Sequence, residues 1–271
     1  MLTETGTRLA VFAQKMVKAR RDALELASEV HALEAREGEK RTLRLSLPMN
    51  LNRVTLISQI MTYEDRHPDV RVEISADSGL PALIAGKTDG SLGSYYRPDP
   101  RLFALPAGIC YSFIMATKKY ERKYGLPETI EDLKHHTILL RYTQNLGYSN
   151  KLENGTETYY IDRGHRVQHG DAAACREMLL AGEGLAIDLT PGFVSDYLAS
   201  GFVFPVLKGW HREPWHYHVY CRAGSQDDKV LRELMAYVER GVFATFANQW
   251  QFWYGKLGIP MPEGFVPQSK S

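Results

Sequence analysis

The sequence has few cysteines, no excess of charge of either sign and no long apolar run. Its three cysteines, Cys110, Cys175 and Cys221, are widely spaced, so they indicate neither a disulfide framework nor a paired zinc motif and suggest a reducing compartment. The net charge is +1, which gives no global electrostatic case for binding nucleic acid or an anionic membrane. No segment approaches the roughly 18 apolar residues of a membrane span, and residues 1–10 lack the apolar core of a secretory signal. A cytoplasmic protein with no membrane partner is expected.

Catalytic signatures are missing as well. The chain contains no GxSxG, HExxH or P-loop motif, so no specific pattern supports an enzyme. The glycines of "AGEGLAI" follow a helical pattern rather than a strand and lack the third glycine of a dinucleotide loop. We therefore expect neither catalysis nor a cofactor. Hydrophobic residues make up 44% and charged residues 24% of the chain, which is typical of globular proteins.

The first block, residues 7–37, has the pattern of one long helix. Its apolar residues recur at alternating spacings of three and four, which is an a/d heptad seam: Leu9, Phe12, Met16, Ala19, Ala23, Leu26, Val30 and Leu33. Gly38 follows as a helix terminator. The pattern fits a dimerising linker helix, or an amphipathic helix that lies on its own domain.

From residue 42 the pattern becomes α/β. "TLRLSL" alternates as a half-buried strand does, and "DVRVEIS" alternates again further on. Between them runs a helical segment with Val54, Ile57, Ile60 and Met61 on one face, stopped by Pro68. Strand, helix and strand joined by short loops predict a right-handed βαβ unit in a parallel sheet.

A second unit with the same pattern runs from Asp171 to Pro191. Asp171 is placed to cap a helix, Gly182 to end it in a left-handed turn, and Gly184 to allow a tight turn into the strand "LAIDL". Pro191 suits the first position of the next helix. An apolar strand near 109–116, an alternating strand over 215–222 and a helix over 230–238 complete two lobes between which the chain crosses twice. Such an arrangement places a ligand in the cleft between the lobes.

The order of several segments resembles LysR-type transcriptional regulators. These segments are "LTETGTRLA", "TLRLSLP", "YEDRHPDV", "LIAGKTDGSLG", "TIEDLKHHTILL", "DAAACREMLLAGEGLAIDLTP" and "LASGFVFPVL". The resemblance covers nearly all of residues 2–245. It implies an α/β fold: a two-lobed effector-binding domain similar to type II periplasmic binding proteins, preceded by a long linker helix.

The resemblance also implies a domain plan. Residues 1–40 would be the linker and dimerisation helix, 41–115 with 222–258 the first lobe, 116–221 the second lobe with its crossover strand, and 259–271 a tail. Family members begin with a winged helix-turn-helix, and this sequence starts at the motif that follows it. DNA would then be bound only through that missing module. The expected partners are a small-molecule effector and further copies of the chain in a homodimer or homotetramer. The alternatives are a small-molecule solute-binding protein with the same lobes, or a paralogue without the DNA-binding module that modulates an intact regulator.

The same resemblance implies an effector site between the lobes. By motif position it would contain Pro48, Met49, Asn50, Leu51, Asn52, Tyr95, Arg141, Tyr142, Thr143, Asp188 and Thr190. The Asn50 loop could hold an anion with its free amides, or Asn50 and Asn52 could simply cap the following helix. For Tyr95, packing in the core or at an interface is favoured over contact with the effector.

Asp188 departs from the family pattern, in which an apolar residue is usual, and Thr190 stands where leucine is frequent. A charged residue in a buried strand needs a partner or a ligand. Arg141, at the matching strand end, could pair with it. If Asp188 instead faces the cleft, the effector should carry a hydrogen-bond donor or a cation.

Two further clusters have simpler interpretations. His211, His216, His218 and Cys221 suggest zinc, but His216 and His218 share one face of a strand while Cys221 takes the other, so no metal is expected. The aromatic segment 243–253 is expected to cover the core of the first lobe, or else to contact another subunit.

Overall fold

A computed structural model describes residues 40–48, 51, 53–75, 79–94, 99–142 and 150–262, without the side chains of 243 and 246–249. The linker helix predicted over 7–37 lies outside the described residues, as do most of the predicted tail and the predicted site residues Met49, Asn50, Asn52, Tyr95 and Thr143. The chain divides into a small compact unit, residues 1–42 with 67–71, and a large one, residues 43–66 with 72–271. Both lobes discussed below lie mainly in the large unit.

The described residues form strands, α-helices and short 3₁₀ helices. The strands are β1 (Arg41–Ser46), β2 (Val70–Ile74), β3 (Gly90–Gly93), β4 (Leu102–Cys110), β5 (Met115–Thr117), β6 (Thr137–Arg141), β7 (Lys151–Asn154), β8 (Glu157–Tyr160), β9 (Arg166–Gly170), β10 (Leu185–Ala186), β11 (Val203–Pro205) and β12 (Trp215–Arg222). The α-helices are α1 (Arg53–Arg66), α2 (Gly79–Ile84), α3 (Lys118–Tyr124), α4 (Ala172–Ala181), α5 (Ser195–Ala199) and α6 (Lys229–Leu257). Short 3₁₀ helices cover Ile130–His135, Pro191–Val194 and Ser225–Asp227.

Two five-stranded sheets form the two lobes. The first has the strand order β2-β1-β3-β12-β4, and the second has the order β11-β5-β10-β6-β9. In the first sheet β1 lies between β2 and β3 and runs parallel to β3, with Leu45 opposite Gly90. In the second, β6 runs parallel to both β9 and β10. The predicted two-lobed α/β fold is therefore confirmed.

The chain passes from one sheet to the other twice. Residues 111–114 lead from β4 in the first sheet to β5 in the second, and residues 206–214 lead back from β11 to β12. We call these segments the first and second crossover. The single apolar strand predicted near 109–116 is wrong, because that stretch contains the end of β4, the first crossover and the start of β5. The stretch is strongly apolar because residues 110–116 are all buried.

Strand β12 lies in the first sheet along its whole length, antiparallel to β3 and β4. The domain plan had assigned residues up to 221 to the second lobe, whereas the backbone hydrogen bonds of β12 belong to the first. The other lobe boundaries stay predictions. Helix α6 then continues through the aromatic segment as one helix of 29 residues. Of the helices in the described ranges, none is both long and apolar enough to cross a membrane.

Candidate functional site

The carboxyl ends of two parallel strands bring Asp188 and Arg141 together. Leu185 pairs with Ile138 and Ala186 with Leu139, so continuing this register by two residues places Asp188 beside Arg141. The Arg141 Nε atom lies 3.7 Å from Asp188 Oδ2. The ion pair that the sequence offered as one role for Asp188 is therefore present.

The turn between α4 and β10 fixes this register. Asp171 caps α4 by accepting a hydrogen bond from the Ala174 amide at 2.8 Å, and Gly182 ends the helix in the left-handed region at φ 75°. Gly184 then lies so close to β6 that a Cβ atom there would meet Leu139 Cδ2 at 2.7 Å and the Thr137 carbonyl oxygen at 2.8 Å. Asp171 and Gly182 have the roles predicted from their positions, whereas Gly184 is needed for its close approach to β6 rather than for a tight turn.

Arg212, from the second crossover, completes a buried charge cluster. Its Nη1 donates a hydrogen bond to Asp188 Oδ2. Arg141 is 5% exposed, Arg212 3% and Asp188 0%. The indole ring of Trp215 lies beside both guanidinium groups, 4.2 Å from Arg141 Cζ and 5.5 Å from Arg212 Cζ, within the range of cation–π attraction. We call Arg141, Asp188, Arg212 and Trp215 the Asp188 cluster.

The electrostatics of the Asp188 cluster reflect its burial. Burial lowers the pKa of Arg212, Asp188 raises it, and the like charge of Arg141 lowers it. Burial also raises the pKa of Cys175 to about 12, where Asp188 adds to the effect and Arg141 opposes it. The thiol therefore stays neutral near the cluster and contributes no compensating negative charge.

A cleft of about 330 Å³ opens between the two lobes, and its wall includes the 3₁₀ helix Pro191–Val194, which begins three residues after Asp188. The first lobe contributes the start of α1, and the second contributes α4, the 3₁₀ helix Pro191–Val194 and α5. The lining residues are Leu51, Arg53, Val54, Ala173, Arg176, Gly192, Phe193, Val194, Ser195, Asp196 and Tyr197. The Arg176 guanidinium lies 5.0 Å from the centre of the Phe193 ring. Apolar walls with a few charged groups are typical of a small-molecule site.

The structure separates the predicted site residues into groups. Leu51 lines the cleft, and Pro48 is half-buried just after β1. Thr190 is buried at the start of the 3₁₀ helix that borders the cleft. Tyr142 is 53% exposed beside the buried Arg141.

Sequence reasoning missed Arg212, Trp215 and the cleft residues Arg176 and Phe193. Arg212 lies 24 residues from Asp188 in the chain, and no local pattern predicts such a contact. The burial expected for Asp188 was one indication, since a buried carboxylate needs several hydrogen-bond donors and Arg141 alone supplies few. The histidines of the same segment were considered as zinc ligands instead. In the described part of the chain, no group of three or more His, Cys, Asp or Glu side chains could hold a metal ion.

Comparison with known proteins identifies relatives of the chain. Residues 36–242 match the model of the family described as the LysR substrate binding domain. An HTH-type transcriptional regulator of Xanthomonas campestris pv. campestris is 27% identical over 216 residues, which are 77% of this chain and 60% of that protein. The chain thus spans about three fifths of the length of this relative.

Solved structures share the fold. The regulatory domain of CrgA, a LysR-type transcriptional regulator from Neisseria meningitidis, aligns with a TM-score of 0.61 and 20% identity over 74% of this chain and 98% of that one. Full-length LysG from Corynebacterium glutamicum, with arginine bound as effector, aligns with a TM-score of 0.54 and 14% identity, covering 89% of this chain and 79% of that one. At these identities the likeness establishes the two-lobed fold alone.

Proposed function

The chain belongs to the LysR-type family of transcriptional regulators, and we propose that it senses a small-molecule effector in the cleft between its two lobes. The observation that carries this proposal is the cleft of about 330 Å³ whose walls come from both lobes. A ligand that contacts both walls stabilises the arrangement of lobes that it fits best, and so shifts the population of conformations. The first and second crossover join the two lobes.

Effector binding would then control transcription. Movement of the lobes alters how the subunits are arranged on DNA, which is bound by the winged helix-turn-helix that LysR-type regulators carry. The heptad seam over residues 7–37 pairs protomers in a homodimer or homotetramer. The regulator works in the cytoplasm and has no catalytic activity, in line with relatives that are named as transcriptional regulators. The bound effector of LysG supports the proposal by showing that this fold can hold a metabolite.

Filling the cleft tests the proposal. Val54 is 74% exposed on the cleft wall, so Val54→Trp should fill space in the cleft with little effect on the core. A compound retained by the chain in native mass spectrometry is titrated calorimetrically against both proteins. We expect Val54→Trp to weaken its binding by about tenfold or more, or roughly 1.4 kcal/mol.

Met61→Trp is the matched control. Met61 lies on the same helix, is 59% exposed and is not part of the cleft lining, so this variant should bind the compound as the unmodified chain does. Equal binding by both tryptophan variants would contradict a site in the cleft. In the intact regulator, a compound that binds the cleft without changing affinity for operator DNA would contradict control of transcription.

A further inference from the structure

The Asp188 cluster carries an unbalanced buried charge. Two guanidinium groups face one carboxylate, which leaves a formal charge of +1 in a region where all three side chains are at most 5% exposed. Exposed Glu213 also favours the charged form of Arg212, but solvent screens a surface charge more strongly than a buried one. Cys110 and Cys175 have pKa values raised to about 12 by burial, so these nearby thiols are neutral. The buried positive charge therefore lacks a second buried counter-charge among the described residues.

The cluster also has more buried hydrogen-bond donors than acceptors. Four buried donor nitrogens have no hydrogen-bond partner within the described ranges: Arg141 Nε, Arg141 Nη2, Arg212 Nε and Trp215 Nε1. One acceptor, Asp188 Oδ1, is also unmatched. Donors exceed acceptors, and buried polar groups without partners are costly. Water molecules could satisfy the donors but would leave the positive charge uncompensated.

We propose that the Asp188 cluster is a subsite for a carboxylate group of the effector, held by Arg141 and Arg212. This inference rests on the proposed function. Asp188 comes three residues before the 3₁₀ helix Pro191–Val194, and this helix lines the cleft. In the proposed arrangement, a ligand group in the cleft extends past this helix to the cluster. The site belongs to the second lobe and the second crossover, so the ligand links these two parts of the chain.

The donor set favours a carboxylate. A guanidinium presents its donors in a planar fork that matches two carboxylate oxygens, and such charge-assisted bonds are stronger than neutral ones. The free Asp188 Oδ1 would accept a hydrogen bond from a hydroxyl or amino group next to the carboxylate. The expected ligand is therefore an acid, and the cation considered for Asp188 from the sequence does not suit a cluster that is already positive.

Thermal unfolding with small anions tests the subsite. The purified chain is unfolded at constant ionic strength with sodium acetate, sodium glycolate or sodium chloride, and separately with the neutral analogue acetamide. We expect acetate to raise the unfolding midpoint in a saturable way, glycolate to raise it further through its hydroxyl, and acetamide to leave it unchanged. An equal response to chloride would overturn the carboxylate assignment in favour of an inorganic anion. No response to any anion would overturn the subsite.

Substitution of Arg141 separates binding from folding. Arg141→Met removes one positive charge and leaves Arg212 paired with Asp188, so the anion-free protein should stay folded. The apparent affinity for glycolate should fall by about tenfold or more. Arg141→Lys keeps the charge without the fork and should bind glycolate with intermediate affinity. Arg122→Met, which removes an exposed arginine of the same lobe, should respond as the unmodified chain does. If Arg141→Met is destabilised and retains the full glycolate response, the cluster is purely structural and the inference fails.

The two proposals fail in different ways. A neutral effector whose binding is weakened by Val54→Trp but not by Arg141→Met would leave the proposed function standing and overturn the carboxylate subsite. Suppose instead that Arg141→Met abolishes the glycolate response, but that no acid which binds the chain changes the affinity of the intact regulator for operator DNA. That result would retain the subsite and overturn the proposed function.

Discussion

Gly184 is required because of its position against β6, not because of its backbone angles. A Cβ atom there would meet both the Leu139 side chain and the Thr137 carbonyl oxygen at less than 3 Å, and a backbone atom cannot move aside as a flexible side chain can. The close approach sets the register of β10 on β6. That register in turn places Asp188 beside Arg141.

Gly184→Ala should therefore destabilise the chain by about 1–3 kcal/mol, as overpacking at a close contact does. The free energy of unfolding from urea titration measures the effect. Gly255→Ala is the matched control, since Gly255 lies in α6 with no atom within 4 Å of the added Cβ. That change should stabilise the chain by up to about 1 kcal/mol through helix propensity. An unaffected Gly184→Ala protein would show that β6 and β10 can move apart freely.

At the residue scale, local chemistry was predictable and long-range partners were not. The cap at Asp171, the left-handed Gly182 and the first-turn Pro191 follow from neighbouring residues and were predicted correctly. The Asp188–Arg141 pair was within reach because parallel strand ends meet at one edge of a sheet. Arg212 and Trp215 were not, because the second crossover approaches this edge only through the fold of the whole chain.

At the element scale, α1 shows how a helical pattern can indicate the wrong face. The sequence predicted Val54, Ile57, Ile60 and Met61 as its buried side, whereas the buried residues are Leu56, Ile60 and Tyr63. Both stripes have helical spacing, and the chosen one is fully apolar. The buried stripe includes a tyrosine, whose ring is buried against Tyr237 of α6 at 5.1 Å between ring centres. Val54 is thereby left free to line the cleft.

Helix α6 extends past the family match, which ends at residue 242, and its last turns pack on the first crossover. Trp250 lies 5.1 Å from Tyr111 between ring centres, and Tyr254 lies 5.6 Å from Phe113. The Tyr254 hydroxyl donates a hydrogen bond to the Ser112 carbonyl oxygen at 3.2 Å. Lys208, in the second crossover, donates a hydrogen bond to the Leu257 carbonyl oxygen at 2.6 Å. The aromatic segment therefore connects the first lobe to both crossovers.

Tyr254→Phe should cost about 1–3 kcal/mol of unfolding free energy, because the buried Ser112 carbonyl loses its donor while the ring packing is kept. Urea titration provides the measurement. Tyr124→Phe, at a tyrosine that is 48% exposed, should change stability by less than about 0.5 kcal/mol. Equal stability of both variants would mean that water replaces the Tyr254 hydroxyl and that the contact does not restrain the crossover.

At the scale of the whole molecule, the alternation of strand and helix was sufficient to predict two α/β lobes with two crossovers. The sequence could not show where the crossovers begin, because buried crossover residues are as apolar as the strands that they join. The cleft was predicted between the lobes, yet most of its lining residues come from helix starts that carry no distinctive motif. Fold class follows from repeated local patterns, while the composition of a site depends on which strand ends and helix starts the fold brings together.

The three cysteines can report whether the lobes unfold together. Cys221 lies in the first sheet, Cys175 on α4 of the second lobe and Cys110 next to the first crossover; all three are free and buried. Burial raises the pKa of Cys110 and Cys175 to about 12 and that of Cys221 to about 11. Only the thiolate reacts with an aromatic disulfide reagent, so at mildly alkaline pH almost all of the Cys110 and Cys175 thiols are unreactive in the folded chain.

We expect each thiol to react only when the chain opens, which returns its pKa to the ordinary range. Because α6 contacts both crossovers, opening of one lobe should open the other, so Cys175 and Cys221 should react at one common rate. Mass spectrometry of labelled peptides gives the separate rates, and the chain in denaturant supplies the rate of fully exposed thiols. Faster reaction of Cys175 than of Cys221 would show that the second lobe opens independently. In that case effector binding would have to stabilise the folded second lobe and also the closure of the second lobe onto the first.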